Sequence, residues 1–152
     1  MLSAIINKIR IKRKMKLIHH GQNTCVAPDV TIHYGNNICI GDNSYINPGA
    51  VIIAGKDSKI QIGNNCLISY NAHLRTSAHN YLKKDILIRE QGMYEKDIVI
   101  EDDCWVGFGA QIMAGVTMRK GSILAAGGVL THDTEPYGVY AGVPARKIKE
   151  RL

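Results

Sequence analysis

A six-residue repeat of large aliphatic side chains constrains the fold of this chain more than any other feature. Within four blocks of the sequence the repeat is unbroken: Val26 and Ile32; Ile40, Ile46 and Ile52; Ile62, Ile68 and Leu74; and Ile100, Val106, Ile112, Met118, Leu124 and Leu130. An α-helix repeats every 3.6 residues and a strand every two, so neither alone produces this period. Self-similarity at a fixed period is typical of solenoid proteins.

A second position in the repeat supports this interpretation. Four residues after most of the aliphatic positions comes a small or modest residue: Val30, Ser44, Ala50, Cys66, Ala72, Ala78, Cys104, Ala110, Val116, Ser122, Gly128 and Thr134. We expect each unit to be a short strand with its aliphatic residue inside and its small residue at a corner. Three units would close a triangular coil, and coils would stack about 4.8 Å apart. Cys66 and Cys104, at the small inward position, are expected to be structural rather than nucleophilic.

The repeat is interrupted three times. Two extra residues separate Ile32 from Ile40, and four separate Ile52 from Ile62; we interpret both as bulges at corners. Between Leu74 and Ile100 the register is lost, and residues 80–96 are predicted to form one long excursion loop. A long loop in so regular a scaffold is usually functional.

Composition and charge limit the classes of protein to which this chain can belong. The 152 residues fit one domain, and the net charge of +6 suits an anionic partner, either nucleic acid or a phosphorylated cofactor. The four cysteines are far apart and form no CxxC pair, so the sequence supports neither a zinc ribbon nor a redox motif. With no signal peptide and no apolar run near twenty residues, we expect a cytoplasmic protein with reduced thiols.

Residues 1–25 are predicted to form a basic segment ahead of a domain spanning 26–150. The spacing of Ile5, Ile6 and Ile9 among lysines and arginines allows an amphipathic helix. The favoured interpretation is a cap over the end of the domain. Contact with a membrane surface or an anionic polymer is the less favoured alternative.

His79 is the candidate catalytic residue. It follows Ala78, which is expected to point inward, so His79 should point outward at the corner where the excursion begins. A neutral imidazole in such a position suits a general base. His73 has the same phase one unit earlier and is therefore expected on a neighbouring face, outside the groove of His79.

The sequence also resembles a known family. The histidine before the excursion, Trp105 in the segment 103–107 and the ending Ala-Gly-Val-Pro-Ala-Arg at 141–146 are similar to those of left-handed β-helix acyltransferases. Residues 34–47 narrow the resemblance to the galactoside and maltose O-acetyltransferases. The resemblance covers residues 26–150. It implies an all-β fold, a left-handed parallel β-helix of hexapeptide repeats with a short N-terminal segment and one excursion loop.

The resemblance implies an acetyl-CoA-dependent O-acetyltransferase that acts on a saccharide hydroxyl by direct attack, without a metal. His79 would be the general base, and backbone N–H groups would stabilise the oxyanion. Asn47 and Asp57 match positions that bind acceptor hydroxyls in the galactoside-type enzymes. His33 stands where those enzymes have serine, so acceptor recognition is expected to differ there.

The resemblance also assigns a coenzyme A site and an assembly. Seven residues are implied in cofactor binding: Trp105 and Gly107 near the pantetheine, Ala126, Thr131 and His132 along the arm, and Arg146 and Lys149 near the phosphates. The family forms trimers with active sites between subunits, so a homotrimer is expected, with acetyl-CoA and a saccharide as partners and no nucleic acid.

Two other functions stay open. One is N-acetylation of an amino sugar or an antibiotic on the same fold. The other is a zinc protein similar to the γ-class carbonic anhydrases, which also use a β-helix and three histidines between subunits. His73 and His79 are six residues apart and were assigned to different faces, which counts against a shared metal ion.

Overall fold

The computed structural model describes residues 2–152, with side chains from residue 5 onward, as one helix followed by stacked short strands. The helix, α1, spans Leu2–Met15. The strands of the first three coils are β1 (His19–His20), β2 (Cys25–Val26), β3 (Thr31–His33), β4 (Ile38–Ile40), β5 (Tyr45–Ile46), β6 (Val51–Ile53), β7 (Ile60–Ile62), β8 (Leu67–Ile68) and β9 (His73–Arg75). A hairpin follows, formed by β10 (Ser77–His79) and β11 (Met93–Glu95).

Two further coils and a closing hairpin complete the chain. Their strands are β12 (Ile98–Ile100), β13 (Trp105–Val106), β14 (Gln111–Ile112), β15 (Thr117–Met118), β16 (Ile123–Leu124), β17 (Val129–Leu130), β18 (Gly138–Ala141) and β19 (Arg146–Glu150). Short 3₁₀ turns lie at Gly35–Asn37 and Ile88–Glu90. Strand pairing begins at His19, seven residues before Val26, where the aliphatic repeat becomes readable.

Three parallel sheets form the sides of the solenoid. The first sheet has the order β1-β4-β7-β12-β15, the second β2-β5-β8-β13-β16-β18, and the third β3-β6-β9-β14-β17. The antiparallel strand β19 pairs with β18 and closes the second sheet. Each strand therefore pairs with the equivalent strand one coil away, as the repeat predicts.

The register places the repeated aliphatic residues in columns. Ile52 pairs with Leu74, and Leu74 with Ile112. Every one of the fourteen predicted aliphatic residues is buried except Ile32, which is half-buried. Ile32 lies on the first coil, at the end of the solenoid, and α1 contacts the neighbouring strand β2.

The small inward positions are confirmed with one exception. Cys66 and Cys104 are both buried, and the Cys66 side chain and burial together raise the pKa of the Cys104 thiol, which suits a structural role. Ala78 is only half-buried, because Thr76 takes the last inward position before the chain leaves the coil. The excursion thus begins at Ser77, three residues earlier than predicted.

The first sheet buries three residues that the period of six does not mark. Ile38, Ile60 and Ile98 begin three-residue strands in which both ends point inward. They follow the two predicted bulges and the excursion, where extra residues shift the phase. The aliphatic repeat is readable only where corners have constant length.

One corner depends on left-handed backbone. Asn43 and Asn65 have φ angles of 55° and 56°, and Asn23 and Asp103 occupy equivalent turns with φ angles of 54° and 59°. Asparagine and aspartate tolerate this region better than other residues with a side chain. The first four coils can therefore turn tightly at this corner without glycine, whereas the fifth has Gly121 there, with a φ angle of 70°.

The helix α1 contacts the solenoid near its C-terminal end. Met15 packs against the core, and the Lys14 ammonium donates to the carbonyl of Val30. Ile5, Ile6 and Ile9 are exposed. Within residues 2–152, no helix combines the length and the apolar character needed to cross a membrane.

Candidate active site

A cleft of about 280 Å³ lies beside His79, between the outer face of the third sheet and the hairpin β10–β11. Its walls are formed by His73, Arg75, Ser77, Ala78, His79, Tyr94, Gln111, Met113 and Ala114. Side chains alternate between the two faces of a strand, so Leu74 fills the core while His73 and Arg75 face outward. The strand β9 thus supplies both core and cleft.

The expectation that His73 lies outside the groove of His79 is wrong. It assumed that the chain continues along the coil to the next face. Instead the chain leaves the coil after Thr76, and the antiparallel pairing of Ala78 with Tyr94 makes His79 part of a hairpin. The hairpin holds His79 on the same side of the solenoid as His73, and both histidines line one cleft.

The two histidines differ in environment. His79 is exposed, whereas His73 is half-buried on β9. Burial, together with the positive charge of Arg75, lowers the pKa of His73, so this imidazole is held neutral. His79 is therefore the accessible imidazole of the cleft, in agreement with its predicted outward position.

Glu95 connects the hairpin to the corner bulge that carries Asp57. Its carboxylate accepts hydrogen bonds from the backbone N–H of Asp57 at 2.8 Å, the hydroxyl of Ser58 at 2.9 Å and the backbone N–H of Lys56 at 3.3 Å. These donors, the Asp57 N–H first, lower the pKa of Glu95. Sequence reasoning missed Glu95, because a glutamate in an irregular loop carries no periodic signal.

The buried hydroxyls beneath this contact extend it into the solenoid. The hydroxyls of Ser58 and Thr76 are hydrogen-bonded to each other at 2.6 Å, and the backbone N–H of Gly55 donates to the Thr76 hydroxyl at 2.7 Å. Glu95 in turn pairs with Ser77 across the hairpin. The bulge at residues 55–59 and the hairpin that bears His79 are thus held by one hydrogen-bonded network.

The three residues assigned to the acceptor do not all lie together. His33 is exposed on the outer face of the third sheet, in the register column of Ile53 and Arg75, two strand spacings of about 4.8 Å from Arg75. Asp57 lies in the bulge tied to Glu95. Asn47 follows the second sheet, where its backbone N–H bonds to Ile68. His33 and Asp57 are therefore on the side of His79, and Asn47 is at another corner.

The cofactor residues also separate into two groups. Trp105, Gly107 and Ala126 lie on or just after the second sheet, and the Trp105 ring N–H donates to the Ser69 hydroxyl at 3.0 Å. A Cβ on Gly107 would lie 2.6 Å from the backbone nitrogen of Ala126. Close stacking of two coils therefore requires this glycine, whatever its part in ligand binding.

The second group lies beyond the His79 cleft, along the same corner. His132 and Arg146 line a depression of about 340 Å³ with Tyr140 and Ala145, and the Thr131 hydroxyl contacts the His132 ring at 2.9 Å. The N–H of Met113, in the His79 cleft, donates to the carbonyl of Leu130. The cleft and the depression therefore lie on adjacent coils. Lys149 is apart from both, exposed on β19.

The part of the chain that the structure describes contains no set of ligands for the zinc alternative. His73 and His79 do share a cleft, contrary to the argument made from their spacing. Even so, residues 2–152 contain no group of three or more histidine, cysteine, aspartate or glutamate side chains arranged to hold a metal ion.

Comparison with known proteins identifies the family. Residues 97–132 match the model of the hexapeptide repeat of succinyl-transferase. The structure of a Vibrio cholerae hexapeptide-repeat acetyltransferase, solved with acetyl coenzyme A, is 32% identical with a TM-score of 0.81; the match covers 90% of this chain and 73% of that one. A maltose O-acetyltransferase from Clostridium difficile is 28% identical with a TM-score of 0.80, covering 93% and 74%.

Among curated proteins, the galactoside O-acetyltransferase of Escherichia coli is 38% identical over 95 residues, which are 62% of this chain and 45% of the relative. The chain spans less than half the length of these curated relatives that it matches. The predicted fold and the predicted resemblance are both confirmed: the solenoid is the left-handed parallel β-helix of these proteins. The chain belongs to the hexapeptide-repeat acetyltransferase family.

Proposed function

We propose that this protein transfers the acetyl group of acetyl-CoA to a hydroxyl of a saccharide, with His79 as general base. The observation that carries the proposal is the position of His79, exposed in a cleft between the hairpin and the third sheet. The V. cholerae relative was solved with acetyl coenzyme A, and the E. coli relative is a galactoside O-acetyltransferase. Both support the choice of donor and acceptor class.

The chemistry needs one base and no covalent intermediate. The acceptor oxygen attacks the thioester carbonyl while the neutral imidazole of His79 takes the hydroxyl proton. The tetrahedral centre then collapses, the carbon–sulfur bond breaks, and the imidazolium returns the proton to the departing thiolate. The products are an acetyl ester and free coenzyme A. Backbone N–H groups near the cleft would stabilise the oxyanion.

Acetyl-CoA would lie across two adjacent coils, in a proposed groove from the His79 cleft to the depression at Arg146. Met113 and Ala114 offer apolar contact near the reacting end, and on the next coil His132 lines the depression, with the Thr131 hydroxyl against its ring. Arg146 is exposed, and its guanidinium makes one hydrogen bond, to its own neighbour's carbonyl. Its remaining N–H groups suit the phosphates of the cofactor.

A homotrimer would bring together candidate site residues that lie at different corners of one chain. Asn47, Trp105 and Gly107 lie at a corner different from that of His79. If each active site forms between two subunits, that corner of one subunit faces the His79 cleft of its neighbour. We propose this arrangement, in which acceptor and cofactor both contact two chains.

Thiol release from acetyl-CoA tests the proposal. A panel of sugars and amino sugars is screened with the native chain, His79→Ala and the control His20→Ala, which alters an exposed histidine on β1. We expect His79→Ala to lower kcat by about 10²- to 10⁴-fold, with an unchanged melting temperature, because His79 is exposed. Full activity of His79→Ala on the best acceptor would refute the general-base role.

The same assay separates the two linkages. An acetyl ester is hydrolysed rapidly in alkali, whereas an acetamide survives. Products stable to alkali, formed only with amino sugars or amine-bearing antibiotics, would show that the protein is an N-acetyltransferase instead.

A further inference from the structure

We propose that the acceptor is an acidic saccharide whose carboxylate or phosphate binds Arg75 in the His79 cleft. This inference rests on the proposed acetyl transfer and adds the class of acceptor. Arg75 lines the cleft together with His79. It was absent from the candidates drawn from the sequence, because a single arginine beside a repeat is ordinarily a solvated surface residue.

The strand places Arg75 at the reacting end of the groove. Leu74 and Thr76 are both buried, so alternation directs the Arg75 side chain between them outward, beside the hairpin. Its Nε donates a long hydrogen bond of 3.4 Å to the Ser77 hydroxyl. The terminal N–H groups of the guanidinium can therefore donate to a ligand, and their forked geometry matches carboxylate or phosphate oxygens.

No carboxylate of the described residues neutralises this cation. Arg119, Lys147 and Arg151 each have an acidic partner within 4.0 Å, and Arg75 has none. The side chains that line the cleft include no aspartate or glutamate. Glu95, adjacent to the lining residue Tyr94, already accepts from three donors.

The remaining groups of the cleft keep its charge positive. Burial and the charge of Arg75 lower the pKa of His73, so His73 adds a neutral imidazole rather than a second cation. Asp57 is bound through its backbone to Glu95 and is not among the lining residues. Arg75 is therefore the permanent charge beside His79, and an anion there gains a charge-assisted bond.

The phosphates of coenzyme A are not the natural partner of this arginine. The thioester must reach His79, and in the proposed groove the phosphates extend to Arg146, beyond the coil of Thr131 and His132. Arg75 lies next to His79 itself. An anion at that point belongs to the acceptor.

The experiment compares acidic sugars with their neutral parents. Uronic acids and sugar phosphates are each paired with the matching neutral sugar, and kcat/KM is measured for the native chain, Arg75→Gln, Arg75→Lys and the control Arg89→Gln, an exposed arginine outside the cleft. We expect the native chain to prefer at least one acid by about 10- to 100-fold. Uronates and phosphates are separate arms and decide which anion is bound.

Arg75→Gln should bring the ratio of acidic to neutral kcat/KM close to one, Arg75→Lys should restore part of it, and Arg89→Gln should keep it. Titration of each sugar by NMR gives the same comparison without turnover. Equal kcat/KM values of the native chain for the acidic sugars and their neutral parents would overturn the inference. An acidic-to-neutral ratio of kcat/KM that is unchanged in Arg75→Gln would also overturn it. Efficient acetylation of neutral sugars that depends on His79 would then leave the proposed transfer intact. Failure of the proposed function itself would show differently, as activity that does not depend on His79.

Discussion

Single side chains decide how the cleft is held together. Glu95 fastens the bulge containing Asp57 to the hairpin containing His79 through three hydrogen bonds. Two of its donors are backbone N–H groups, which a bulge outside the sheets would otherwise leave to solvent. The carboxylate therefore orders two irregular segments at once, although neither belongs to the repeat.

Replacing Glu95 with Gln should loosen this contact. The amide has one acceptor oxygen and no charge, so it cannot satisfy all three donors. We expect faster proteolysis within residues 80–92 and a lower kcat, since His79 loses its fixed position. Glu90→Gln is the matched control, because Glu90 lies in the same loop and its side chain makes no hydrogen bond in the described structure. Equal proteolysis of the two variants would contradict the positioning role.

The same residue predicts a dependence on pH. The pKa of Glu95 is lowered from its ordinary value of 4.5, so its contribution to stability is present above that value. It is lost as the pH falls through the lower, folded pKa. Proteolysis of the native loop should therefore accelerate in acid, whereas Glu95→Gln should show little change in this range. An acid response of the same size in the variant would assign it to other groups.

At the scale of elements, the short strands depend on burial rather than on their own length. Strands of two or three residues have little intrinsic stability, and each is held by the strands above and below it and by the aliphatic column inside. The hairpin β10–β11 is different, since it packs outside the coils and its residues are half-buried or exposed.

Leu74→Ala tests the importance of the column. Leu74 is fully buried on β9 between Ile52 and Ile112, so the substitution should cost about 2–5 kcal/mol of unfolding free energy. The control Leu87→Ala, with a side chain 63% exposed in the excursion, should change stability by less than about 0.5 kcal/mol. Urea denaturation measures both. Similar losses in the two variants would mean that the column does not dominate stability.

At the scale of the whole molecule, the candidate site is divided between corners. His79, Asp57 and His33 lie on one side, while Asn47, Trp105 and Gly107 lie at another corner. A monomer would leave these two sets apart, and a trimer with sites between subunits would join them.

Sedimentation should therefore give about three times the chain mass of 16.7 kDa. Co-expression supplies a second measurement: mixed assemblies of His79→Ala and Trp105→Ala subunits should be more active than either variant alone, because some interfaces then combine two native surfaces. A monomeric mass would contradict the arrangement, and so would mixed assemblies with no recovered activity.

The sequence by itself determined the solenoid, because corners of constant length force a period of six that only stacked coils produce. It also placed thirteen of the fourteen repeated aliphatic residues correctly in the buried core, and it indicated an outward His79. The structure was needed where the period fails. Departure at Ser77 rather than Asn80, the shared cleft of His73 and His79, the Glu95 contact and the outward Arg75 all follow from a hairpin folded against the third sheet. Such a hairpin is set by contacts between residues far apart in the chain, which no local pattern encodes.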